Sequence, residues 1–296
     1  MPSRAFGKRQ DWMNSDLLFA QFLLNHGVLK VTEIREFLPK TLATKVDLPL
    51  QALFRGAATA VELDSLGALS GEAFRKSAEE EGVLTASQIH NLGEAIAGEG
   101  CLLAQALLDA GRLNYKEVEQ LFHDYGRMGE HPLQEAMERA AVPMLLEELP
   151  LYTEYVGVAF HALKRFMGIA CVINPTGTPL ADGDLPGYIV SQAITGAVSF
   201  VTGLAASDEV FLELARRYSH EDFRELDELA VDSLAEFLNV LNGFFAVRLG
   251  ERDLELDLNL PKTSMELHLS VNKLLNLHIE SPVGPFNLLI AADEFI

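Results

Sequence analysis

The chain has 296 residues, enough for about two globular domains, and its 49% of hydrophobic residues exclude a largely disordered protein. Its 43 acidic residues outnumber the 23 basic ones, and a net charge of −20 argues against binding to nucleic acid or to an anionic membrane surface. No apolar signal peptide opens the sequence, and polar residues interrupt the most apolar stretch, 189–206, so we expect a cytoplasmic protein without a membrane span.

Residues 1–140 have the apolar spacing of three and four residues that is typical of helices. A motif of glycine, any residue and leucine recurs at Gly27, Gly82 and Gly111, and each copy predicts a helix end, a tight turn and a new helix. The intervals of 55 and 29 residues are uneven, so we do not expect a clean solenoid. We interpret this part as an all-helical domain of unknown function, a regulatory or targeting module. Binding of a small nucleotide signal is a weaker alternative, because no basic phosphate site is evident.

Glycines and prolines between residues 126 and 150 indicate a boundary, after which residues 141–296 alternate between helical and strand patterns. Strict alternation of apolar and polar residues near the end predicts strands with one buried face, joined as an antiparallel meander. The fold class is therefore α+β, a helix layer on a largely antiparallel sheet. In chain order we predict a helix over 151–167, a strand over 169–173, a loop over 176–186, two strands within 188–204, helices over 208–218 and 227–249, and strands over 254–260, 265–271, 274–280 and 286–291.

The long helix over 227–249 carries the most informative residues. Asp232, Glu236, Asn239 and Gly243 have offsets of four, seven and eleven residues, which place them on one face, away from the apolar stripe. On spacing alone, such a face is most often simply solvated. Glycine inside a helix costs about 1 kcal/mol relative to alanine, so Gly243 suits a position that a partner approaches closely. No Lys or Arg lies on this face, so a phosphate bound there needs cations from a partner.

The residues Asp232-Ser-Leu-Ala-Glu236-Phe-Leu-Asn239 resemble the signature helix of the CheX/CheC family of response-regulator phosphatases. The family pattern also has a proline about twenty residues further on, a position that Pro261 matches. The resemblance covers roughly residues 147–296. An earlier helix carries Glu154 but has Gly157 where a second motif needs asparagine, so the domain resembles the single-motif CheX arrangement.

The resemblance implies a CheX-like domain that hydrolyses the phosphoaspartate of a CheY-like receiver in chemotaxis or two-component signalling. Asn239 would orient the attacking water, Glu236 would pair with a lysine of the receiver, and Asp232 and Gly243 would contact the receiver. The resemblance also implies that Mg²⁺ comes with the receiver and not with this chain, and that two copies form a homodimer. The alternative is a non-catalytic protein that binds the receiver or acts as a scaffold. The sequence contains no zinc, nucleotide-loop or serine-hydrolase motif.

Overall fold

The computed structural model of the protein describes residues 15–67, 69–94, 102–128, 132–140, 147–175, 187–265 and 274–292. The chain divides into two compact units, Met1–Pro132 and Leu133–Ile296. Helices alone occupy the described part of the first unit, whereas the second combines helices with a sheet. The class is therefore α+β, as the sequence predicted.

The first unit is built from eight short helices in its described residues. Their buried side chains are almost all apolar. α1 and α7 are buried over consecutive residues, whereas α5 and α6 bury a few spaced residues of one face. In chain order the helices are α1 Ser15–Asn25, α2 Val31–Lys40, α3 Leu48–Phe54, α4 Ala60–Ser65, α5 Gly71–Glu80, α6 Ala86–Glu94, α7 Leu102–Asp109 and α8 Tyr115–Met128.

A glycine turn repeats more regularly in this unit than the sequence analysis concluded. Gly56, with a φ of +64°, forms the same turn as the three glycines predicted from the sequence, so the intervals become 29, 26 and 29 residues. At each turn the two following amides bind one carbonyl of the preceding helix, as Ala57 and Ala58 bind Ala52. Three residues after each glycine, the next helix begins with a backbone amide bound by a Glu or Gln side chain. The sequence analysis missed this fourth turn, because alanine replaces leucine in the Gly56 copy.

The second unit begins with α9 Pro132–Ala140 and then contains the sheet. α10 Leu149–Ala162 continues into a π-helical turn, Leu163–Met167, that ends at Gly168 with a φ of +70°. The predicted loop 176–186 and residues 266–273, which hold most of a predicted strand and its turn, lie outside the described residues. The remaining elements are β1 Val172–Ile173, β2 Tyr188–Gly196, β3 Phe200–Ala206, α11 Asp208–Ser219, α12 Glu228–Gly250, β4 Leu256–Leu258, β5 Lys262–Ser264, β6 Leu274–Glu280 and β7 Phe286–Ala291.

The sheet is antiparallel at each described pairing. β6 and β7 form a hairpin, as the sequence predicted, but β4 and β5 pair with β2 and do not continue the predicted meander. The strand order of the sheet is β1-β6-β7-β3-β2-β4, and β5 also pairs with β2. The hairpin of β6 and β7 therefore lies beside β3, while β4 and β5 lie on the far side of that strand. Alternating polarity specifies which face of a strand is buried, but it does not specify the neighbouring strand, which explains the error.

α10, α11 and α12 pack on one face of this sheet. An aromatic cluster joins α10, α12 and β3, with ring centroids of Tyr155, Phe200 and Phe245 5.3 to 5.9 Å apart. The opposite face carries a second apolar cluster of small and medium side chains, Ile189, Val201, Ala205, Leu289 and Ala291. Both faces of the central strands are thus buried, so a polar side chain there needs a hydrogen-bond partner.

Within the described residues, one helix has the length and hydropathy of a membrane span, and it is α12, not the stretch 189–206 considered from the sequence. Its high hydropathy comes from a stripe of buried residues that packs on β2 and β4. A core helix of a globular unit satisfies the same length and composition criterion. Residues 189–206 instead form the hairpin of β2 and β3.

Candidate functional site

The candidate site is built on α12, a helix of 23 residues that begins at a clear cap. The Asp227 side chain accepts a hydrogen bond of 2.9 Å from the amide of Ala230, which satisfies one of the free amides at the helix start. Seven apolar residues and Asn242 form the buried stripe, so the orientation of the helix about its axis is set by the core. The opposite face is consequently directed outward.

The four residues singled out from the sequence lie on this outward face. Asp232 and Glu236 are exposed, and Asn239 and Gly243 are partly buried. A Cβ atom built on Gly243 would meet no atom of the described residues within 4 Å, so none of these residues requires glycine there. The space beside Gly243 is open to a partner. Two large apolar side chains, Leu229 and Val247, are 67% and 68% exposed on the same side of the helix.

The carboxamide of Asn239 is held by β2. The Nε2 atom of Gln192 donates to Oδ1 of Asn239 at 2.7 Å and to the backbone carbonyl of Asn259, also at 2.7 Å. Asn259 follows β4, and Leu260, which is 87% exposed, precedes Pro261. Gln192 thus joins the signature helix to the segment that contains the proline of the resemblance. The sequence analysis missed Gln192 and Asn259. The available signal was a glutamine within a mostly apolar strand, because a buried amide needs hydrogen-bond partners.

Asn242 lies one turn further along and is fully buried. Its Oδ1 accepts from the hydroxyl of Tyr155 at 2.8 Å, and its Nδ2 donates to Gln192 at 2.7 Å and to Thr202 at 2.9 Å. Gln192 and Thr202 are paired in register on neighbouring strands and are at most 1% exposed. Asn242 therefore anchors α12 to the sheet.

Glu236 is exposed next to a tyrosine of α11. Burial, followed by the negative charge of Glu236, raises the pKa of Tyr218, and the Tyr218 ring packs edge-on against Phe237 at 5.4 Å. Within the described ranges, no Lys, Arg or His forms an ion pair with Glu236. The carboxylate can therefore pair with a cation that another molecule brings.

The two arginines at the end of α12 are bound elsewhere. Arg248 and Arg252 contact the carboxylate of Glu154 on α10 at 2.5 and 2.8 Å. Burial alone would raise the pKa of Glu154, but the hydrogen bonds and charges of both arginines outweigh it and lower that pKa. Glu154, which occupies the position of a second motif, is thus part of a structural ion pair. A Cβ atom built on Gly157 would lie 3.7 Å from the Leu133 side chain, which is an ordinary contact distance.

In the part of the chain that the structure describes, no group of three or more His, Cys, Asp or Glu side chains is arranged to hold a metal ion. The outward face of α12 presents carboxylates and a carboxamide. These groups can pair with ammonium groups, accept hydrogen bonds and donate them, but they do not neutralise a phosphate.

Comparison with solved structures returned chemotaxis proteins. CheX from Desulfovibrio desulfuricans is 14% identical, matches 47% of this chain and 96% of its own length, and has a TM-score of 0.39. A CheC-like protein from Shewanella sp. PV-4 is 14% identical over 47% of this chain and 95% of that chain, with a TM-score of 0.41. The CheX–CheY–BeF3–Mg²⁺ complex from Borrelia burgdorferi is 17% identical over 47% of this chain and 96% of that chain, with a TM-score of 0.39.

No protein-family model and no curated protein matches the chain. The structural neighbours are CheX and CheC-like chemotaxis proteins, each matching about half of this chain.

Proposed function

We propose that the second unit hydrolyses the phosphoaspartate of a CheY-like receiver protein in the cytoplasm. The observation that carries the proposal is the outward face of α12, where Glu236 and Asn239 lie one turn apart. The acid has no ion-pair partner among the described residues, and the amide is held by Gln192. A CheY-like partner is also named in the Borrelia complex, but the proposal for this chain rests on the residues of α12.

In the proposed reaction Asn239 positions a water molecule in line with phosphorus. The water oxygen forms the new bond to phosphorus while the bond from phosphorus to the receiver carboxylate oxygen breaks. The electron pair of that bond leaves with the carboxylate, and both water protons end on the phosphate product as H₂PO₄⁻. Phosphoryl transfer has a loose transition state, so positioning and charge neutralisation supply most of the rate.

The charges on α12 determine what the receiver must contribute. Asp232 and Glu236 repel a free phosphate, and Arg248 is bound to Glu154. Glu236 pairs with a lysine of the receiver, and the Mg²⁺ that neutralises the phosphoryl group belongs to the receiver. Asp232 and Gly243 contact the receiver, and the exposed side chains flanking them add apolar area to the interface. The protein therefore acts on a phosphorylated receiver and hardly at all on small phosphate esters.

The test is the decay of a radiolabelled phosphoreceiver in Mg²⁺ buffer, with and without the full chain. We expect acceleration by the wild type, loss of it in Asn239→Ala, and a higher KM in Glu236→Gln. Glu209→Gln is the matched control, because Glu209 is an exposed glutamate on α11 and the change in net charge is the same. Binding of the receiver without any acceleration would favour the non-catalytic alternative and overturn the proposal. Homodimer formation stays a prediction, which light scattering of the purified chain tests.

A further inference from the structure

A chain of side-chain hydrogen bonds runs from the core of the second unit to Asn239. The hydroxyl of Tyr155 donates to Asn242, Asn242 donates to Gln192, and Gln192 donates to Asn239, with distances of 2.8, 2.7 and 2.7 Å. The first three residues are at most 1% exposed, whereas Asn239 is partly exposed. This series of hydrogen bonds therefore ends at the surface, at the residue proposed to position the water.

The direction of these hydrogen bonds is set by one backbone carbonyl. The oxygen of Asn259 can only accept, so the group of Gln192 that lies 2.7 Å from it must be the amino group. The same amino group faces the Asn239 carboxamide, which must therefore turn its oxygen toward Gln192. The oxygen of Gln192 in turn requires the amino group of Asn242, and the oxygen of Asn242 requires a donor.

Tyr155 is that donor. Burial raises the pKa of Tyr155, so its hydroxyl keeps its proton at neutral pH. A flip of any one amide in the series would place two donors or two acceptors face to face. The buried end and the Asn259 carbonyl together leave one consistent orientation for all three amides.

We propose that Gln192 is a positioning residue that locks Asn239 with Oδ1 inward and its amino group outward, a role that rests on the proposed phosphatase function. Within the described residues no group accepts a hydrogen bond from Nδ2 of Asn239, so this donor faces the reacting molecule. A water that accepts from Nδ2 keeps its second lone pair for attack on phosphorus. Because each amide accepts at oxygen and donates at nitrogen, the series polarises in one direction and strengthens the outward donor.

The first test uses substitutions that preserve side-chain shape. Gln192→Met removes both donors to Asn239 and Asn259 but keeps the volume, and Asn239→Asp keeps the inward oxygen but removes the outward donor. We expect each to lower kcat for the phosphoreceiver by at least about tenfold, the scale of a lost or misplaced donor. Gln192→Met leaves the charge of the site unchanged and should change KM by less than about twofold. In an Asn239→Ala background, Gln192→Met should change kcat no further, because Gln192 acts only through Asn239.

The matched control is Asn287→Asp. The Asn287 side chain donates to Asn276 at 2.7 Å in the same sheet, but its position alternates with residues that face the helices, so it lies on the opposite face. The substitution exchanges an amide for an acid without changing the series of hydrogen bonds from Tyr155 to Asn239. Unfolding curves of all variants show which losses of kcat reflect loss of fold.

A second measurement does not need enzymatic activity. In ¹H–¹⁵N spectra of the full chain, the side-chain NH₂ signals of Asn239 are identified as the pair that disappears in Asn239→Asp. In the wild type these protons should exchange quickly with water, and Gln192→Met should change their chemical shifts. The amide pairs of Gln192 and Asn242 should be protected from exchange.

The outcomes separate the two proposals. A wild-type chain without activity on the phosphoreceiver overturns the proposed function and, with it, this role of Gln192. An active chain in which Gln192→Met keeps the wild-type kcat, or in which the Asn239 amide pair is protected, overturns the positioning role and leaves the proposed function standing. Loss of kcat in Gln192→Met with a folded protein, unchanged KM and no further loss in the Asn239→Ala background supports both.

Discussion

Replacing the buried amide Asn242 by alanine should destabilise the second unit far more than replacing Asn239, three residues earlier. Asn242 is fully buried, and its loss removes the acceptor of the Tyr155 hydroxyl and leaves the Oε1 atom of Gln192 without a donor, both at sites at most 1% exposed. Thr202 keeps its longer bond of 3.4 Å to the Gln192 carbonyl. Each unsatisfied buried group costs about 1–3 kcal/mol, so we expect a loss of about 3–5 kcal/mol in the free energy of unfolding.

The comparison variant Asn239→Ala loses a single hydrogen bond. The Gln192 amino group still donates to the Asn259 carbonyl, and Asn239 is partly exposed, so a loss of about 1 kcal/mol is expected. Urea unfolding followed by far-ultraviolet circular dichroism measures both variants. Hydrogen exchange of α12 peptides assigns the change to the second unit. A difference between the variants of less than about 1 kcal/mol would refute the hydrogen-bond network as the anchor of α12.

Three further predictions concern single residues. Gly243→Ala should stabilise α12 by up to about 1 kcal/mol, because the new methyl meets no atom of the described residues within 4 Å. The same substitution should weaken binding of a BeF3-activated receiver, and an unchanged affinity in a titration would exclude a docking role for Gly243. Glu154→Gln should cost about 1 kcal/mol at neutral pH, because the arginine partners are more than half exposed. Since the folded pKa of Glu154 is lowered, this contribution is present above the ordinary value of 4.5 and is lost as the pH falls further; urea midpoints that differ equally at pH 7 and pH 3 would contradict it. Gly56→Ala should destabilise the first unit by about 1–2 kcal/mol because its φ is +64°, whereas Gly126→Ala in α8 should not; melting temperatures decide between them.

Local periodicity was sufficient for most of the elements. The strands Leu274–Glu280 and Phe286–Ala291 and the helix α12 agree with the predicted ranges to within one residue. Alternation of period two and an apolar stripe of period 3.6 are properties of consecutive residues, so they need no knowledge of the remaining chain. The Gly56 turn was missed because its sequence lacks the leucine used to recognise the motif, although its backbone conformation is the same as in the other three turns.

Such local patterns do not predict which distant strands pair with one another. β4 and β5 pair with β2, and β7 pairs with β3, although alternation alone suggested a simple meander. A strand exposes the same hydrogen-bonding groups to any neighbour. Which neighbour it receives depends on the core packing of the whole unit.

For the candidate site, the sequence by itself determined that Glu236 and Asn239 share an outward helix face without a nearby cation, because helical spacing and residue type are local. Only the tertiary structure decided which end of the Asn239 amide faces outward. That orientation depends on Gln192 of β2 and on the carbonyl of Asn259, 47 residues before and 20 residues after Asn239 in the chain. Hydrogen-bond polarity is a property of all the groups that meet in space, so it appears only when the strands and α12 are packed together.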